Sequence, residues 1–241
     1  MRKALEIGGI VAAAILIGFG IAAIVMGMNG QSTVNSSLKN EQITGTGDMA
    51  PAAIAPEVKA DQAQQNALFA KLDKAGVKMT PSPITTPSCS VAGQQVNSGD
   101  RARCFAEYMR IHTFAATSGL TYSQMGRWVA TKNAPFNATD GLGGTNDPKY
   151  AQIDPKTQQP VNNGRRDLWV TYTALTTALN SAYMASQMAL FGLVVGVALL
   201  LSGIGFGILA LSGALRSREP AFDFMRKWTS KEEKELPAAT A

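Results

Sequence analysis

Few side chains in this sequence are equipped for chemistry. The 241 residues hold two cysteines, Cys89 and Cys104, and a single histidine, His112. In an oxidising compartment, two cysteines 15 residues apart most simply form one disulfide. The intervening SVAGQQVNSGDRAR carries two glycines and an Asn-Ser-Gly-Asp turn, so it can bend back on itself. Closing such a loop stabilises by about 3 kcal/mol in the chain-entropy account. A redox or nucleophilic thiol calls for CxxC spacing or a poised neighbour. A Cys104–His112 dyad, two helical turns apart, competes with the disulfide. Two cysteines alone do not build a zinc site.

One histidine excludes a two-histidine, one-carboxylate iron site, a histidine-rich zinc site and HExxH within one chain. Ser-His-Asp catalysis would have to use His112, which falls on a predicted amphipathic face and reads as structural. Walker, GxSxG and kinase signatures are absent from the sequence. GLGG (141–144) is followed by no Lys-Ser/Thr and preceded by no clear strand, so it is not a phosphate cradle. Eleven acids scattered over 29–187 single out no carboxylate pair. The expectation is a non-enzymatic chain with no catalytic residue, no cofactor and no metal.

The elements that position these residues are framed by two apolar runs. Ile7–Met28 is 22 residues without a charge and Met188–Leu211 is 24. At 1.5 Å per residue each can cross a bilayer core of roughly 30 Å. The mean hydropathy of +0.01 hides this by averaging two apolar segments with a polar middle. The expected plan is a cytoplasmic N-terminus (1–6), a first span (7–28), an extracytoplasmic domain (29–187), a second span (188–211) and a cytoplasmic tail (212–241). Arg2 and Lys3 precede the first span, and Arg216, Arg218, Arg226 and Lys227 follow the second. Lys and Arg resist translocation, which puts both termini in the cytoplasm and the middle outside a plasma membrane. The first run exceeds the 7–15 apolar residues usual in a cleaved signal, so it reads as an uncleaved anchor.

The net charge is +5, and the middle segment holds 14 basic against 11 acidic residues. The basic residues are scattered, without the concentrated face and interleaved aromatics that nucleic acid requires. No nucleic-acid partner is expected.

The fold class expected is all-α, with a mainly helical, disulfide-stabilised domain between two membrane helices. Val34 and Leu38 at helical spacing extend the first helix beyond the span, and Gly45-Thr46-Gly47 breaks it. Pro56–Ala75 reads as a helix with Pro at its first turn and Val58, Ala63, Leu68 and Leu72 toward one face. Asp100 or Ser98 caps a helix to about Thr117, with Cys104, Tyr108, Ile111 and Ala115 at 4-3-4 spacing. Thr121-x-x-Gln124 opens a short helix holding Met125, Trp128 and Val129. Asn133–Gly164 is turn-rich, a binding surface or a connector. Leu168, Tyr172, Leu175, Leu179 and Ala182 begin one helix that runs unbroken into the second span. Asn35-Ser-Ser37 and Asn137-Ala-Thr139 match the glycosylation acceptor pattern.

Small residues line one face of each span. Gly192, Gly196, Gly203 and Gly207 fall within about 60° on a helical wheel, and Gly9, Ala13, Gly20 and Gly27 within about 40°. Such faces let helix backbones approach in lipid. They serve either packing of the two spans within one chain or association with a second copy or another membrane protein. Neither span holds Asp, Glu, Lys, Arg or His, which argues against pumps and coupled transporters. In the tail, Arg216, Arg218, Phe222, Arg226, Lys227 and Trp228 could lie on the inner leaflet, making membrane lipid an expected partner.

GDRARCFAEYMRIH (Gly99–His112) and RRDLWVTYTALTTALNSAYMASQMALF (Arg165–Phe191) resemble a group of two-span membrane proteins of high-GC Gram-positive bacteria whose role is unknown. The likeness extends to the opening MRKALEIGG and the second span. It implies an envelope protein with its middle domain outside. Some of that group carry a ring-cleaving dioxygenase label, which the lone His112 does not support here. The reading is an envelope protein acting by protein–protein contact, as a scaffold or accessory subunit. The alternatives are a sensor signalling through a partner and a small oligomeric channel.

Overall fold

The computed structural model describes residues 2–135 and 143–212. Among them are four α-helices: α1 (Arg2–Asn40), α2 (Pro51–Lys74), α3 (Gly99–Ala116) and α4 (Gly164–Leu211). Two single 3₁₀ turns, Tyr122–Gln124 and Pro148–Tyr150, and isolated β-bridges complete the described fold. The chain forms two compact units, Met1–Asn29 with Ala189–Ala241, and Gly30–Met188.

In the first unit, α1 and α4 contribute long apolar helices. Both are long and apolar enough to cross a membrane, and only 17% of the most apolar window of each is buried. The core helix of a soluble protein would be mostly buried. Here Ile7, Phe19, Met26, Phe191, Leu201 and Leu211 all face outward. The buried line instead carries small residues: Ala13, Gly20 and Gly27 on α1, and Gly196, Gly203 and Ala210 on α4.

The second unit has an apolar core built mainly from α2 and α3. Tyr108, Ile111 and Phe114 of α3 are almost fully enclosed, and Ile54, Val58, Leu68 and Leu72 of α2 are buried in the same cluster. Leu38 from α1, Val91 and Val96 from the loop, and Trp169 and Leu179 from α4 join it. Four local expectations are corrected. The α2 helix starts at Pro51, not Pro56. Pro51 occupies the slot that needs no N–H, and burying Ile54 outweighs the one helix bond that Pro56 cannot donate. Ala63 is exposed, and Asp61 and Gln65 take its expected place on the buried face. The helix after Thr121 stops at Gln124. Trp128 is extended and bridges Thr145 and Asn162, because the chain at Gly126 runs so close to Thr145 that a Cβ would collide with its backbone. Leu168 is exposed, and its neighbour Trp169 takes the buried position.

Caps and side-chain bonds fix the rest. Ser98 accepts the Arg101 N–H at 3.4 Å and starts α3. Gly119, at φ +80°, turns the chain away from its end, and Gln65 Nε2 donates to the Gly119 carbonyl at 2.8 Å. Trp169 Nε1 donates to the Leu120 carbonyl at 2.7 Å and stands edge-on to Phe114 at 5.3 Å. The turn-rich segment, where described, is a set of short paired pieces: Ala130 with Ala151, and Ile153 with Pro160.

Candidate functional site

Cys89 and Cys104 are bonded, with sulfurs 2.09 Å apart and Cα atoms 6.0 Å apart. The bond ties the loop before α3, which carries three prolines at 81–87, to the buried face of that helix. Tyr108, one turn further along α3, donates its hydroxyl to the Cys89 carbonyl at 2.6 Å. Burial, then the Glu107 charge, pushes the Tyr108 phenol above its usual range.

The glycine faces meet within the chain. A Cβ on Gly20 would lie 2.7 Å from Leu200 N, and one on Gly27 would lie 2.8 Å from the Ala189 carbonyl. From the other helix, a Cβ on Gly196 would lie 2.8 Å from the Gly20 carbonyl, and one on Gly203 would lie 2.9 Å from Ile17 N. Gly192 and Gly207 flank this line at ordinary contact distance, and Gly9 is half-buried. Arg216, Arg218, Phe222, Arg226, Lys227 and Trp228 lie outside the described residues, as does Asn137-Ala-Thr139.

Among the described residues of the Gly30–Met188 unit, several features can meet a ligand. The first is a groove of about 610 Å³ between α3 and α4. Arg103, Glu107 and Arg110 line it from α3, and Tyr172, Tyr183 and Met184 from α4. The Arg103 guanidinium lies 4.9 Å over the Tyr183 ring, and Arg110 lies 5.0 Å over Phe114. Arg103 also pairs with Glu107 at 3.7 Å. Flat aromatic faces thus hold both guanidinium groups at the groove, and Arg110 Nη2 donates to the Ser82 hydroxyl at 3.1 Å.

The second feature gathers acids around His112. Asp48 Oδ2 is 3.4 Å from His112 Nε2, and Glu57 Oε1 is 3.4 Å from Nδ1. One ligand atom from each residue lies within 4.8 Å of the other two. Three elements supply them: the turn before α2, the first turns of α2, and the C-terminal half of α3. Asp48 also accepts a hydrogen bond from the Thr46 hydroxyl, which lowers its carboxyl pKa despite some burial. Asp61 lies one turn beyond Glu57 on α2. It is 9% exposed, and its Oδ2 has no hydrogen-bond partner. Burial, then the Glu57 charge, raises its pKa, and His112 opposes the rise.

Reading the sequence passed over Asp48, Glu57 and Asp61. The available signal was Glu57-x-x-x-Asp61, two acids four apart on an amphipathic helix, with Asp61 on the stripe of Ile54, Val58 and Leu68. The α3–α4 groove carried no motif, since its lining alternates between two helices 60 or more residues apart. No protein-family model matches this chain, and no curated protein or solved structure matches it either.

Proposed function

We propose that this chain is an integral plasma-membrane protein with spans at 7–28 and 188–211. Both termini are cytoplasmic, and the disulfide-bonded helical domain of 29–187 is outside. It acts without catalysis, as a scaffold or accessory subunit that docks another envelope protein. The observation that carries this reading is the α3–α4 groove. Arg103, Arg110, Tyr172 and Tyr183 are of the residue types that dominate binding energy at protein interfaces. Two guanidinium groups against one carboxylate favour a partner segment that brings acidic and apolar side chains. Charge flanking the spans supports the orientation.

The glycine faces bear on the partner question. Each glycine line is occupied by the other helix of the same chain, leaving large apolar side chains facing outward. Association with a second copy through those glycines is therefore the weaker route, and the groove is the stronger one.

A photo-crosslinking residue at Tyr183, in the full chain in native membranes, tests this reading. It should give a discrete heteromeric adduct, and the same probe at exposed Thr157 should not. A strictly solitary monomer at both positions would overturn the proposal.

The groove volume also falls in the range of small-molecule sites, which is the observation favouring a sensor. A small molecule that raises Tm in wild type and not in Arg103→Ala would move the assignment to that reading.

A further inference from the structure

Asp48, Glu57 and His112 each offer one ligand atom, and the three atoms lie within 4.8 Å of one another. Among the described residues, no Lys or Arg forms an ion pair with Asp48, Glu57 or Asp61. Two of the carboxylates are partly open to water and tolerate this. Asp61 is not so placed. It is more than nine-tenths buried, its Oδ2 is unpartnered, and it follows Glu57 by one turn of α2. A buried carboxylate with no donor is costly. A cation at the cluster would offset that cost.

The geometry points to a binding site for one divalent first-row transition-metal ion, with Asp48, Glu57 and His112 as ligands and Asp61 as the buried carboxylate beside them. This goes beyond the docking function and does not depend on it.

The donor chemistry selects the class of ion. An imidazole with carboxylates is a zinc-type N/O set, and imidazole suits zinc, copper, iron and nickel. Calcium takes six to eight oxygens and magnesium a rigid octahedron of oxygens, so an imidazole serves neither well.

Spacing agrees. Two donors on one tetrahedral zinc, each at 2.0–2.1 Å, stand about 3.4 Å apart. Asp48 Oδ2 and His112 Nε2 already have that separation. Glu57 has to leave the opposite ring nitrogen, Nδ1, and approach from within 4.8 Å, a movement open to a half-buried, unbranched side chain in the second turn of α2. The ligands come from a turn and two helices, so a bound ion would link all three. Three protein donors leave a fourth position for water.

The competing account is a metal-free clamp in which a protonated His112 donates to both acids. The two accounts differ in whether the full chain binds metal. The test uses the full-length protein in detergent, purified without a polyhistidine tag and stripped with EDTA. Zn²⁺ titration by calorimetry should give one site per chain and raise Tm. Co²⁺ should give visible d–d bands of low-symmetry coordination. Mg²⁺ should do neither.

His112→Gln should abolish the Co²⁺ bands and weaken Zn²⁺ binding at least a hundredfold, and Asp61→Asn should weaken it about tenfold. If His112→Gln fails to fold by circular dichroism, Asp48→Asn, in an exposed turn, replaces it with the same expected loss. No stoichiometric binding would overturn the site and leave the clamp. Zn²⁺ binding that survives loss of His112 or Asp48, or equal binding of Mg²⁺, would also overturn it, as loose attraction to surface acids. The Tyr183 crosslink reports docking separately, so failure of one result does not imply failure of the other.

Discussion

Substituting Gly196 by alanine tests the packing of the two apolar helices with one methyl group. The added Cβ would lie 2.8 Å from both the Gly20 carbonyl oxygen and Ile24 N. Ordinary contact begins near 3.4 Å, so the helices must separate there by about 0.6 Å. Neither obstacle is a flexible side chain that can swing aside, because both are backbone atoms of α1. Overpacking of this kind costs about 1–3 kcal/mol. Separation also strips dispersion contacts from Gly20 and Gly203, the next positions along the seam.

The same chain supplies controls. A Cβ at Gly18 or Gly205 meets nothing within 4 Å. Gly18→Ala and Gly205→Ala should therefore be neutral, or stabilising by up to about 1 kcal/mol through helix propensity. The assay is reversible unfolding of the full chain in mixed micelles, followed at several protein concentrations. A seam inside one chain gives a midpoint independent of concentration. Equal effects of Gly196→Ala and Gly18→Ala would refute the reasoning. So would a midpoint that rises with protein concentration, which would place the seam between copies.

Three further outcomes are expected. Replacing Cys89 and Cys104 together by serine should cost about 3 kcal/mol and lower Tm, whereas Tyr108→Phe, which loses one bond to the Cys89 carbonyl, should cost only about 1 kcal/mol; thermal melts with and without reductant compare them. Trp169→Phe removes the donor to the buried Leu120 carbonyl and should cost about 1–3 kcal/mol, read by chemical denaturation. Asp61→Asn should raise the Tm of the metal-free protein at neutral pH. Its folded pKa is raised above the unfolded value, so its favourable contribution is complete below the unfolded pKa of about 3.9 and is lost as pH rises through the folded pKa. The gain from Asp61→Asn should therefore disappear in acid, and a Tm that falls at neutral pH would contradict the sign.

The long elements were legible because their signals are local. Each apolar run is uninterrupted, and the segment before the second run has no glycine or proline to stop a helix, so a 48-residue α4 follows from composition alone. Capping chemistry, which needs no tertiary context, narrowed the start of α3 to Asp100 or Ser98, and Ser98 takes it. What misled was local signal overridden from a distance. Pro56 looks like a helix start until Ile54 is seen to be fully buried. The capping box at Thr121 does form, yet Gly126 is drawn against Thr145 and the chain turns extended.

The cluster at His112 was illegible for a different reason. Counting histidines removes the two-histidine sites, but a metal can take most of its ligands from carboxylates, which the sequence holds in number. Asp48 meets His112 only because the first turns of α2 carry the preceding turn back over α3. Asp61 was the one member with a readable anomaly. A carboxylate at the position where Val58 and Leu68 set the apolar stripe breaks the helix's own pattern. Local consistency is what makes a helix fold well, and departures from it concentrate where a chain does something else. An alanine would fill the position without desolvating a charge, and a lysine could reach water. A short acid leaves its Oδ2 enclosed and without a donor, one turn from Glu57, where a cation would give it a partner.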